Sequence, residues 1–232
     1  MIRVATYNIQ KSIGADLRRD PQRILDVIAE FDPDVIALQE ADRRFADRRA
    51  TLSPELIAER TDLAPIAVAM HAGGIGWHGN AILARRGFEI AAQRRVELPR
   101  LEPRGAVAAI ISTPEGEIEA VACHLSLIGR FRRRQVSHIV AGLHAAASRR
   151  PTVILGDLNE WLPRSASLRA FAPGFEAAPT GPSYPAPRPV AALDRIFHGP
   201  EFRVERAGVH RSRLARVASD HLPAWADLSL GG

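Results

Sequence analysis

The 232 residues, 46% of them hydrophobic, suffice for a single domain, 1–232, with a large core, and no linker or low-complexity stretch divides them. No apolar run reaches membrane-spanning length, only Met1 and Ile2 precede the first expected strand, and the lone cysteine, Cys123, cannot form an internal disulfide. A membrane span, a secretory leader and a disulfide scaffold are therefore not expected, a cytoplasmic location is, and the net charge of +5 favours anionic partners.

Arg3 to Ile9 reads as a buried strand carrying an amide, Asn8, at its end. Asp20-Pro21 offers an N-cap and a proline at the first helical position, and Ile24, Val27, Ile28 and Phe31 follow at the spacing of a buried helix face. Asp34 to Glu40 is a second apolar run, closing in a carboxylate. Ala64 to Met70, Asn80 to Ala84, Phe88 to Leu98 and Ala106 to Ser112 read as further strands. The intervening Gly73 to Gly79 loop lacks the Gly-Lys-Ser/Thr ending of a P-loop. Ile118 to His124, a basic helix with Val136, Ile139, Val140 and Leu143 inward, and Thr152 to Asp157 then repeat the strand, helix, strand pattern. Pro179 to Pro189, which holds Thr180, Ser183 and Tyr184, is aperiodic and reads as an ordered loop.

The chain thus looks internally duplicated, with Asn8 answering His124 and Glu40 answering Asp157. Two such units packed sheet against sheet bring all four polar ends to one rim, the way a rigid scaffold presents a catalytic constellation. Cys123, beside His124 in an apolar strand, reads as a small core residue.

The ordered set Thr6-Tyr7-Asn8-Ile9, Leu38-Gln39-Glu40, Gly79-Asn80-Ala81-Ile82-Leu83, Arg104-Gly105-Ala106, His124-Leu125, Gly156-Asp157-Leu158-Asn159, Leu193-Asp194-Arg195-Ile196-Phe197 and Ser219-Asp220-His221-Leu222-Pro223 resembles the endonuclease/exonuclease/phosphatase family, from Arg3 to Leu228. The resemblance implies an α/β fold, a four-layer α/β/β/α sandwich of two mixed sheets, DNase I-like, and metal-dependent cleavage of phosphate esters.

Such hydrolysis needs charge neutralised on the phosphoryl oxygens, an aligned water and a protonated leaving group. Hard oxygen ligands suit Mg²⁺ or Mn²⁺, and clustered His and Cys for zinc are lacking. The expected ligands are Glu40, Asn8, as a neutral ligand or a hydrogen-bonding support, and Asp220. The resemblance assigns Asp157 to orienting and deprotonating the water, supported by Asn159; in extended geometry their side chains point the same way, the competing reading being an Asx-turn. His221 serves as a base or as an electrophilic clamp, oriented by Asp194, and His124 acts at the leaving oxygen, its own carboxylate partner unidentified. By the resemblance Arg104 is expected to reach substrate phosphate, the alternative being a surface salt bridge, and Asn80 is an expected substrate contact. His71, His78, His138, His144, His198 and His210 have no motif support.

The substrate is less constrained. Arg130 to Arg134 and Arg149-Arg150 read as the solvated ends of a helix. Glu160-Trp161 after the Gly-Asp-Leu-Asn motif, Ala41-Asp42 after Leu-Gln-Glu and an aromatic content of 6% depart from the abasic-site endonucleases of the family. Trp161 is either a substrate platform or a buried packing residue behind the metal site. The leading expectation is a phosphodiesterase on a small or lipid-linked phosphodiester. A DNA or RNA nuclease is the alternative enzyme, and a non-catalytic phosphate-binding module on the same fold is the alternative from another class. Nothing indicates an oligomer.

Overall fold

The computed structural model describes residues 1–42, 50–70, 73–99, 102, 104–145 and 150–231. In chain order the elements are β1 (Ile2–Asn8), α1 (Pro21–Phe31), β2 (Val35–Gln39), α2 (Pro54–Arg60), β3 (Leu63–Pro65), β4 (Ala81–Arg85), β5 (Glu89–Glu97), β6 (Gly105–Thr113), β7 (Gly116–His124), α3 (Gly129–His144), β8 (Thr152–Asp157), α4 (Ala166–Arg169), β9 (Glu176–Ala177), β10 (Asp194–His198), β11 (Phe202–Val209), α5 (Ala215–Ala218) and β12 (Ala224–Leu230). They form two six-stranded mixed sheets, ordered β11-β12-β1-β2-β4-β3 and β5-β6-β7-β8-β10-β9. In each, two central parallel strands joined through a helix are flanked by antiparallel neighbours.

Strand alternation builds the layers. Ile2 and Val4 of β1 enter the core between the sheets with Val35, Ala37, Ile82, Ala120, Ala122, Val153, Leu155 and Ile196. Ala5 and Tyr7 face the other way and pack with Ile24, Val27, Ile28 and Phe31 of α1. Val121, Cys123 and Ile154 likewise meet Val136, Ile139, Val140 and Leu143 of α3. The result is the expected four-layer α/β/β/α sandwich. Each fully buried Val, Ile or Leu contributes roughly 1.5–3 kcal/mol, so the strand registers that keep these residues inside are strongly specified. Burial pushes the Cys123 thiol up to about 12, as a core cysteine requires.

The first helix forms where its signals stand: the Asp20 side chain accepts from the Arg23 amide, Pro21 occupies the first turn, and Asp32 ends the helix in a left-handed conformation. Two expectations need correction. The strand expected over 64–70 stops at Pro65, because the Val68 amide turns back to the Ile66 carbonyl at 2.8 Å and breaks the ladder. The solvated arginine run of α3 also has an exception. Arg130, Arg133 and Arg134 are exposed, but Arg132 turns inward to a buried ion pair with Glu160, Nη2 to Oε2, at 3.1 Å. Arg149 and His71 lie outside the described residues.

Candidate active site

The alternation that fills the inter-sheet core also aims its polar ends. An even number of residues along from Val4, Ala37 and Ile82 the same face carries Asn8, Gln39 and Asn80; two residues along from Ala122, Leu155 and Ile196 it carries His124, Asp157 and Asp194, with Asn80 and Asp194 preceding their strands' core residues because those strands run antiparallel. In the first sheet Asn8 pairs in register with Gln39, and Asn80 stands one step beyond the Leu38–Ala81 pair. In the second, His124 pairs with Asp157 and Asp157 with Asp194. The two halves therefore present two corresponding rows of three polar residues. This corrects the expected equivalence of Glu40 with Asp157: the register equates Asp157 with Gln39. Glu40 lies one residue further, in a left-handed conformation at φ 55° that takes it off the strand's alternation.

Asp157 is the centre. It is buried, and an unpartnered carboxylate there would be very unfavourable. Asn8 Nδ2 donates to its Oδ2 at 2.9 Å across the gap between the sheets, and the Asn159 amide donates to its Oδ1 at 2.9 Å. His124 Nε2 lies 3.4 Å and His221 Nε2 3.8 Å from Oδ2. Burial alone would raise the Asp157 carboxyl, but the hydrogen bond and charge of His124, with His221 and the Asn159 amide, hold it well below the usual range. His124 thus has a carboxylate neighbour in Asp157 itself, its partner across the parallel ladder.

His221 Nδ1 meets Asp194 Oδ2 at 2.7 Å, and Ser183 Oγ donates to the same oxygen at 2.6 Å. Burial would lower the imidazole, yet Asp194, with Asp157 and Asp220, outweighs it and pushes His221 up to about 10. Ser219 Oγ donates to the Asn8 carbonyl at 2.7 Å, tying the Ser-Asp-His segment to the end of β1.

Asn159 does not behave as the extended reading required. Its φ is 51°, its side chain donates to the Leu125 carbonyl at 2.9 Å, and its support of Asp157 comes through the backbone, in the Asx-turn that was the competing reading. Arg104 is buried, not on the surface, and pairs with Glu102 at 3.2 Å; the other Glu102 oxygen accepts from Ser126, two residues past His124. Asn80 is fully buried, donates to the Gly105 carbonyl of the opposite sheet at 3.0 Å, and leaves Oδ1 without a protein partner. Trp161 stands exposed, its ring 5.7 Å edge-on from Tyr184, which lies 4.8 Å from the His221 ring; the buried reading is overturned. Of the remaining histidines, His78 lies against Trp77, His138 is exposed, His144 stacks on Phe175, His198 meets its neighbour's carbonyl, and His210 pairs with Glu30.

Sequence reasoning missed two contributors. Gln39, inside the Leu-Gln-Glu motif, is fully buried, accepts from Thr6 Oγ1 at 3.1 Å and leaves Nε2 unpartnered. Ser183 was noted only as a loop residue. Parity counted forward from Val35 and Ala37 reaches Gln39 once the face of β2 that meets the other sheet is known; no local signal marks Ser183.

A divalent cation has two places to be tested against. Among the described residues Asp157, Asp194 and His221 bring their ligand atoms within 4.8 Å of one another. All three are committed to the buried network above, and a protonated His221 repels a cation there. Glu40 and Asp220 fit better. They are hard oxygen donors, and the Asp220 carboxyl is pushed up by burial and by the Glu40 charge, a repulsion that a cation relieves. The Lys11 ammonium already occupies Glu40. Asn8 donates through Nδ2 to Asp157, and its Oδ1 accepts from the Gln10 amide at 3.1 Å, the contacts of a hydrogen-bonding support.

Residues 5–221 match the model of the Endonuclease/Exonuclease/phosphatase family. The protein YbhP of Escherichia coli K12 is 27% identical over 168 residues, which are 67% of this chain and 64% of that protein. The chain thus spans less than two thirds of the curated relatives it matches. A structure of an endonuclease/exonuclease/phosphatase from Beutenbergia cavernae is 26% identical, with a TM-score of 0.74 over 100% of this chain and 72% of that one. A mannosyl-6-phosphatase from Bacteroides thetaiotaomicron shares the fold at 20% identity, with a TM-score of 0.77 over 99% of this chain and 100% of that one. With its two mixed sheets and the polar rows between them, the chain belongs to the endonuclease/exonuclease/phosphatase family.

Proposed function

We propose that the protein is a divalent-metal-dependent phosphodiesterase acting on a small or lipid-linked phosphodiester. One observation carries the reading: the buried Asp157 carboxylate is held by Asn8 from one sheet and by His124 and the Asn159 amide from the other, with His221 a further 3.8 Å away. That gap is too long for a direct hydrogen bond and suits a water that donates to the Asp157 carboxylate and accepts from His221. Glu40 and Asp220 would hold Mg²⁺ or Mn²⁺, which when bound would supply positive charge to the phosphoryl oxygens.

The chain's own residues do the rest. Asp157, fixed on both oxygens, aligns the water opposite the leaving group and accepts its proton. His221, gripped at Nδ1 by Asp194, directs Nε2–H at a phosphoryl oxygen, which favours the clamp role over the base role. Asp194 and Ser183 position that imidazole. His124, on the other flank of Asp157, hydrogen-bonds the leaving oxygen.

The test is cleavage of bis(p-nitrophenyl) phosphate beside p-nitrophenyl phosphate, with Mg²⁺ or Mn²⁺, an EDTA control and His221→Ala. Expected is diester cleavage abolished by EDTA and reduced about a thousandfold by the substitution; EDTA-resistant cleavage, or full activity in His221→Ala, overturns the reading. The exposed Arg130, Arg133 and Arg134 favour a nuclease as the second reading, and plasmid DNA and RNA in the same assay test it.

A further inference from the structure

Five of the nine large apolar side chains exposed among the described residues stand on three loops at the active-site rim: Leu127 (66%), Ile128 (38%), Trp161 (57%), Leu162 (66%) and Val190 (69%). The first loop follows His124, the second follows Asp157 and the third precedes Asp194. The loops are fastened to one another at their bases. Arg132 Nη1 donates to the Leu127 carbonyl at 2.6 Å while Nη2 meets Glu160 Oε2 at 3.1 Å, and the other Glu160 oxygen accepts from the Leu162 amide at 3.0 Å. Trp161 packs edge-on against Tyr184, whose carbonyl accepts from the Val190 amide at 2.8 Å. The apolar tips are therefore presented to solvent from braced backbone, and the Trp161 and Tyr184 rings link two of the three loops to His221.

Each tip has an exposed arginine two residues away: Ile128 with Arg130, Leu162 with Arg164, Val190 with Arg188. Residues 125–134, 158–164 and 179–193 contain one carboxylate, Glu160, which is buried against Arg132. Apolar side chains ringed by uncompensated arginines match the boundary of an anionic bilayer, where acyl chains receive the tips and phosphates receive the guanidinium groups. A patch meant for a protein partner would be expected to carry mixed charge at its rim.

We propose that this collar docks the protein on anionic phospholipid surfaces, so that the site opens onto the phosphodiesters of the headgroup layer. The inference deepens the phosphodiesterase reading by naming a membrane-borne diester as the substrate class.

Docking is measured in EDTA, without turnover, by co-sedimentation with vesicles of phosphatidylcholine alone or with phosphatidylglycerol, and by the emission of Trp161. Expected is binding to the phosphatidylglycerol vesicles with a blue shift absent in Trp161→Phe. The combined variant Leu127→Ser, Leu162→Ser, Val190→Ser weakens binding by about tenfold or more, and Arg130→Gln, Arg164→Gln and Arg188→Gln each by about fivefold. All six side chains are exposed, and unchanged thermal unfolding checks that the variants fold. No vesicle binding, or binding that survives the triple serine variant, overturns the docking. So does loss in that variant of a self-association seen by analytical ultracentrifugation, which would assign the collar to a second copy. On soluble bis(p-nitrophenyl) phosphate the triple variant keeps wild-type activity, whereas on vesicle phosphatidylglycerol its activity falls with its binding. Vesicle binding without cleavage of any diester overturns the phosphodiesterase reading and leaves the docking standing.

Discussion

Lys11, the only lysine in the chain, makes an ion pair with Glu40, the carboxylate we propose takes a divalent cation. The two side chains are partly exposed, and such a pair is worth roughly 0.2–1 kcal/mol. A metal at Glu40 must displace the ammonium. Lys11→Met should therefore tighten Mg²⁺ or Mn²⁺ binding by about two- to fivefold in calorimetric titration, and Glu40→Gln should abolish it. Unchanged affinity in both variants would place the ion elsewhere.

The His221–Asp194 pair predicts a pH dependence for the metal-free protein. His221 has a folded-state pKa of about 10, above the unfolded value of roughly 6.5. Its contribution to stability is complete below the lower value and disappears as pH rises through the upper one. In EDTA, the Tm difference between wild type and Asp194→Asn should be largest around pH 6 and shrink steadily toward pH 10. A gap that stays constant over that range would sink the assignment of an imidazolium.

Asn8→Ala removes the one hydrogen bond found between the first sheet and Asp157. The carboxylate keeps its other partners, so folding should survive at a cost of about 1–3 kcal/mol. Cleavage of a soluble diester should lose about tenfold to a hundredfold in kcat, with KM little changed, because the bond positions a group and does not bind substrate. A change confined to KM would assign Asn8 to substrate contact instead.

Gly156 lets β7 and β8 approach. A Cβ there would lie 2.0 Å from the Cys123 carbonyl oxygen, which is backbone in a central strand and cannot swing aside. Gly156→Ala should cost about 3 kcal/mol or more in urea unfolding, and it should lower activity by spreading His124 from Asp157. A loss below about 0.5 kcal/mol would show that the sheet yields freely.

Much of this was readable because the informative patterns are local. The capped, amphipathic α1, the apolar strands and the polar residues that close them each declare themselves within a few positions, and the order of the motifs supplied the fold. Relations set by register and by loop course were not readable. Asp157 as the neighbour of His124 depends on how two strands align 33 positions apart. Gln39 required knowing which face of β2 turns to the other sheet. Ser183 reaches Asp194 from an aperiodic loop, and Asn159 leaves the extended path that its spacing suggested because its backbone turns left-handed. The exposure of Trp161 depends on Arg132 taking Glu160 inward while its neighbours in the loop turn out.

The two polar rows differ in kind. Asn8, Gln39 and Asn80 are amides, whose dipoles are the same at every pH; Asp157 and Asp194 are carboxyl groups whose charge follows their proton. An anion entering the cleft thus meets one wall that is an invariant mould and another whose charge is adjustable. A repeated architecture has been divided into a passive half and a responsive one. Acidity can retune the responsive wall without altering the shape into which the substrate must fit.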